Sequence, residues 1–150
     1  MGKLFVEANR NLSTTLSIGS WVADATRPRR LKFYSLLFGS EATPADVGIY
    51  FVADRCTAAG TSTAVTPRPL DPGDAATESD AGESHTVDPT YSTTAVFAVS
   101  CNQRGGFIWT AAPGRELVTP ATASNGLGFR TPTLNGGTPA ATLGIYAEEQ

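Results

Sequence analysis

His85 is the only histidine in this chain of 150 residues, and it bounds the chemistry available. Jelly-roll metal centres use several histidines plus a carboxylate, a set the sequence does not contain. A Ser/His/Asp triad is formally possible with His85, but no Gly-x-Ser-x-Gly elbow positions a nucleophile. A cysteine nucleophile paired with His85 is equally unsupported, because Cys101 falls on an apolar strand face. His85 sits in a polar stretch and reads as an ordinary surface residue. A carboxylate pair could hydrolyse a glycosidic bond, yet no pair stands out. Asp71-Pro-Gly-Asp, with Glu78, Asp80 and Glu83, could offer oxygen ligands to calcium. Its spacing lacks the EF-hand alternation, the Gly at position six and the Glu at position twelve. It reads as a solvated acidic loop, so neither a metal nor a cofactor is expected.

Arg27, Arg29 and Arg30, with Lys32, form a basic cluster that could meet phosphate or an acidic partner. A solvated turn is an equally good reading. Arg104-Gly-Gly occurs once and marks a turn, and no Gly-rich phosphate loop is present. The formal net charge is −3, so nucleic-acid binding is not expected. Trp21 and Trp109 could stack on a sugar. Trp109 shares its phase with Phe107 and is assigned to the core, whereas Trp21 is assigned to an interface.

The elements that carry these residues are strands. Leu12, Leu16 and Ile18 alternate with Ser and Thr. Ala95, Phe97, Val99 and Cys101 share one face, as do Ala141, Leu143, Ile145 and Ala147. Period-2 alternation of this kind marks half-buried strands. Val47-Gly-Ile-Tyr-Phe-Val is apolar on both faces and looks central. Asn125-Gly126 and Asn135-Gly136 are hairpin-type dipeptides. Pro28, Pro44, Pro113, Pro120, Pro132 and Pro139 are expected between strands. No helix is convincing. The pattern predicts one all-β domain over residues 1–150, an antiparallel β-sandwich or jelly roll of about seven to eight strands.

Residues 57–90 interrupt that pattern. They hold no aromatic residue before Tyr91 and few large aliphatics, and structureless loops longer than about 12–15 residues are uncommon inside compact domains. They carry six acids and one base, a net −5, against +2 for the remainder. The stretch is therefore expected to be an extended Pro/Gly/acid-rich loop, an arm that reaches a neighbouring subunit. Deleting residues 57–86 is expected to leave a foldable sandwich. Residues 1–11 could form a second arm. Hydrophobic residues make up 41% and charged residues 17%, below the usual ~25% charged, which suits an extracellular or assembled β protein. No export signal and no membrane span is expected. Cys56 and Cys101 read as two buried thiols, with a bridge between them as the alternative.

The motifs Thr66-Pro-Arg-Pro-Leu-Asp-Pro-Gly-Asp, His85-Thr86, Pro89-Thr90-Tyr91, Asn102-Gln-Arg, Ala112-Pro-Gly-Arg-Glu-Leu-Val and Pro120-Ala-Thr-Ala-Ser-Asn-Gly, together with Trp109, carry a resemblance. They resemble small β-rich proteins encoded among the structural genes of tailed bacteriophages, across roughly the last two-thirds of the chain. The resemblance implies a capsid decoration, or cement, protein without enzymatic activity. Such a protein is a homotrimer on the head surface that clamps neighbouring major capsid subunits. Its partners would be itself and the major capsid protein, with no nucleic acid and no membrane. It would be made in the host cytoplasm and reside on the virion. Trp21, Arg27, Arg29, Arg30, Pro67, Arg68, Pro69, Asp71 and Asp74 are the expected contact residues. A tail or fibre component, or a glycan-binding β-sandwich, is the alternative, and a hydrolase of host envelope polymers is a third reading.

Overall fold

The computed structural model describes residues 2–150, apart from the side chains of Thr93 and Thr94. The chain forms β1 (Lys3–Asn11), β2 (Gly19–Val22), β3 (Leu31–Ala42), β4 (Gly48–Ala58), β5 (Thr61–Val65) and β6 (Arg68–Pro69). It continues with β7 (Asp80–Val87), β8 (Thr90–Asn102), β9 (Phe107–Thr110), β10 (Leu117–Thr119), β11 (Gly126–Thr133) and β12 (Ala140–Glu149). All the pairings are antiparallel. They build two six-stranded sheets. Sheet A runs β10-β3-β12-β1-β6, with β9 also on β3, and sheet B runs β5-β7-β2-β11-β4-β8. The two sheets pack face to face as a β-sandwich, as the alternation predicts. The twelve strands exceed the expected seven to eight, three of them coming from residues 57–90, which are not a loop.

That segment supplies β5, β6 and β7. β4 runs into β5 and β7 into β8, so the four make one long ribbon wrapped around β2 and β11. The ribbon folds at Gly60, whose φ is +72° and whose missing Cβ leaves room for the Val87 carbonyl. A side chain there would be strained twice, by conformation and by contact. β6 then leaves sheet B and pairs with Leu4 and Phe5 of β1. The expected arm thus straps the sandwich to itself. The acids share in this. Glu83 accepts from Asn9 N at 2.7 Å, and Glu78 pairs with Arg27 at 3.2 Å. The expected N-terminal arm is also overturned, since β1 lies inside sheet A, nine residues in register with β12. Met1 lies outside the described residues.

The core follows the strand phases. Trp21, Phe51 and Phe129 from sheet B meet Phe33 and Phe38 from sheet A. Ring centroids are 5.6 Å apart for Trp21–Phe33, 6.3 Å for Phe33–Phe129 and 5.5 Å for Phe38–Phe51. Each fully buried aromatic of this kind contributes about 1.5–3 kcal/mol through removal from water. Three punctuation readings are corrected. Gly126 opens β11 and lies against the Trp21 backbone, so Asn125-Gly126 is no hairpin turn. Pro132 falls within β11, where the register with β4 shifts, a place that tolerates a missing N–H. Asn135-Gly136 does take positive φ, 54° and 126°, but it carries the chain from β11 in sheet B to β12 in sheet A and closes no hairpin.

Candidate interaction surface

The outward face of sheet A carries a continuous apolar surface. Phe5 on β1 lies opposite Tyr146 on β12, and their rings are 4.9 Å apart. Tyr34 on β3 extends the row, 6.1 Å from Tyr146, and the Lys3 ammonium lies 5.9 Å above its ring. One pair further along, Gly144 faces Leu37, which in turn faces Ile108 on β9. The result is an open groove of about 800 Å³. Gly144 and Gly39 form its floor. A Cβ at Gly39 would meet nothing within 4 Å, and one at Gly144 would touch Phe5 at 3.3 Å and Leu37 at 3.6 Å. Ile108 stands at its rim, 76% exposed. This face can bury apolar surface against a partner. Ile108 alternates with Phe107 and Trp109, so its outward phase was legible, whereas Tyr34 and Leu37 are three residues apart across a register shift between β3 and β12 and show no period-2 phase.

The expected contact residues are scattered instead. Trp21 is fully buried in the core, and its indole Nε1 donates to Ser79 Oγ at 2.8 Å. It cannot serve as a docking or sugar-stacking residue. Pro67 is buried, while Arg68 and Pro69 form β6 against β1. Asp71 is exposed and its Oδ1 accepts from Gly73 N at 2.8 Å. Asp74 and Arg29 line one shallow cleft, and Arg27 is tied to Glu78. Arg30 lies beside Arg55 at the β10 end of the sandwich. Trp109 and Phe107 pack against the core but remain half-buried at its open side.

His85 overturns its surface reading. It is fully buried. Its Nδ1 donates to the Val87 carbonyl at 3.2 Å, and its Nε2 has no hydrogen-bond partner among the described residues. Burial lowers its pKa, opposed by the Val87 carbonyl and by Asp88. Ser17 and Asp88 lie beside it, but not as a triad. Ser17 Oγ donates to Asp88 Oδ1 at 2.8 Å, and Tyr91 donates to Ser17 Oγ. Arg10 Nη1 donates to the carbonyls of Ser17 at 3.0 Å and His85 at 2.6 Å. With Ser17 fully buried and its proton given to a carboxylate, its hydroxyl is not presented to solvent as a nucleophile. The cluster pins the folded ribbon to β1 and to the segment before β2.

Cys56 and Cys101 are free thiols, Cys56 buried and Cys101 half-buried. Burial pushes the Cys56 pKa up to about 12, which keeps it an unreactive thiol. No protein-family model matches the chain, and no curated protein or solved structure does.

Proposed function

We propose that the protein is a non-enzymatic virion structural protein, a homotrimeric head decoration protein that binds the outer capsid surface and stabilises joints between major capsid subunits. The observation that carries the reading is the apolar outer face of sheet A. Phe5, Leu37, Ile108 and Tyr146 lie there with no covering element among the described residues, on a hydrogen-bonded sheet. Monomeric soluble proteins rarely leave such contiguous apolar surface unused, and it commonly marks a protein interface. The motif resemblance to phage structural proteins supplies the setting, and the all-β sandwich suits a surface-clamping role. A stable contact needs about 1,200–2,000 Å² in total, so a flat sheet face is the economical way to supply it.

Cryo-EM of the particle tests the proposal. The expected result is density for the sandwich on the outer shell, with the face of Ile108 turned to a capsid subunit or a second copy. A shell without the protein, or with that face turned to solvent, would overturn it.

A further inference from the structure

Strand β8 closes one end of sheet B with thirteen residues. None of them is charged and none is proline. Proteins usually blunt an edge with charge, proline or short length, because its unpaired N–H and C=O groups invite another strand. Sheet A follows that practice, its edges being β6 with two residues, β10 with three and β9 with four. β8 is guarded over its first half, where the ladder with β4 shifts register three times, the last shift lying between the Asp54–Ala95 and Ala53–Phe97 pairs. Beyond it the ladder with β4 is regular, from Phe97 opposite Ala53 to Asn102 opposite Gly48.

The side chains on that regular stretch are also incompletely covered. Phe97, Val99 and Cys101 pack against the core yet are only half-buried. Phe97 lies 5.7 Å from Phe107 and 5.2 Å from Trp109, both half-buried too. Backbone and side chains therefore lack a neighbour along the same line.

We infer that β8 pairs antiparallel with β8 of a second copy of this chain, across a twofold axis at Val99. About that axis Val99 faces the partner's Val99, and Phe97 faces the partner's Cys101. Ala98 faces the partner's Ser100. Each half-buried apolar residue meets another, and the exposed small residues meet on the outer side. No like charges can oppose one another, because the strand has none. All five pairs fall within the regular stretch, whereas an axis moved to 97 or 101 runs into the register shift or past the strand end. This internal match selects a copy of the chain over an unrelated extended segment. A self-paired antiparallel strand requires a twofold axis. The contact is therefore distinct from the threefold one of the proposed trimer, and joins copies from different trimers.

The test uses the full chain carrying Cys101→Ser and Val99→Cys. Opposed Cβ atoms lie about 4.5–5.5 Å apart, close to the roughly 3.5–4.5 Å of a disulfide. Oxidation is expected to yield a covalent dimer on non-reducing electrophoresis where the wild type yields none. Adding the exposed Ser100→Lys is expected to lower that yield by about fivefold or more, since an edge lysine blocks pairing, with an unchanged circular dichroism spectrum. Failure of the Val99→Cys variant to cross-link overturns the pairing. So does cross-linking of the wild type through Cys101, which would place the axis elsewhere. These outcomes are read on purified protein, so a virion lacking the protein would overturn the decoration reading alone.

Discussion

Arg130 on β11 and Asp54 on β4 form an ion pair on the outer face of sheet B, with Arg130 Nε donating to Asp54 Oδ2 at 2.7 Å. The Asp54 side chain is 4% exposed and that of Arg130 38%. The Tyr91 ring lies 4.7 Å from the guanidinium and covers the pair. Removing the arginine alone strands a buried carboxylate, so Arg130→Met is expected to cost about 1–3 kcal/mol. Adding Asp54→Leu should recover part of that loss, because the orphaned charge is gone. Urea denaturation of both single variants and the double variant gives the coupling directly. Strictly additive losses would contradict the pairing.

Stability should depend on His85 between mildly acidic and neutral pH. Burial holds its folded pKa below its ordinary value, whereas the unfolded chain takes up a proton near 6.5. The unfolded state thus binds more protons below that pH. The stability His85 contributes is complete above about 6.5 and is lost as pH falls towards the folded value, by at most about 1.4 kcal/mol per pH unit. Urea midpoints at pH 7.5, 6.5 and 5.5 should fall for the wild type and stay flatter for His85→Gln. Parallel curves for the two proteins would show that another group titrates.

Two glycines separate packing from open surface. A Cβ at Gly126 would strike the Trp21 carbonyl, a backbone atom held in the β2–β11 ladder. Gly126→Ala is therefore expected to destabilise by about 2 kcal/mol or more, in the range of overpacked sites. Gly39→Ala meets open space in the groove and should fall within about 0.5 kcal/mol of the wild type. Thermal melts of the two variants rank them. Equal losses would contradict the described β2–β11 contact.

Ile108 allows binding to be separated from folding. At 76% exposed it has little buried area to lose, so Ile108→Asp should leave the melting temperature unchanged. On the proposed decoration reading it should weaken shell occupancy, because the contact would then have to bury an unpaired carboxylate against apolar surface. Occupancy on purified particles, measured against wild-type protein, checks this.

The sandwich was legible where one face of a strand is apolar and the other polar. Ala141, Leu143, Ile145 and Ala147 are all buried on β12, as their alternation requires. Trp21 was not legible, because all four residues of β2 are buried and the strand has no alternation to phase it. His85 was misplaced because β7 buries Ala81, Gly82 and His85, small or polar residues that do not announce a core. Sheet A's apolar outer row was hidden for the opposite reason. A large residue in the solvent phase reads as an exception until its neighbours on the adjacent strands are known. Thr61, Thr63 and Val65, β-branched at every second position, were the available signal for β5.

The same misreading yields a sharp test of residues 57–90. Taken as a loose arm, residues 57–86 should be dispensable. In the fold their removal takes away β5, β6 and almost all of β7. It would strip β2 of its neighbour from Gly19 to Val22, uncover Trp21 and remove Ser79, the acceptor of its indole N–H. It would also cost Asn9 its bonds to Glu83 and Ser84. Burying aromatic and strand surface is worth several kcal/mol against a typical total of 5–15, so the deletion is expected to leave an unfolded chain. The acids at the exposed tip are a different matter. Asp71 makes a local contact to Gly73, and both Asp71 and Asp74 are exposed. Asp71→Ser with Asp74→Ser should therefore change stability by less than about 0.5 kcal/mol. Circular dichroism and urea unfolding of the two variants decide between strap and arm. A cooperatively folded deletion variant would show that the ribbon is not part of the core.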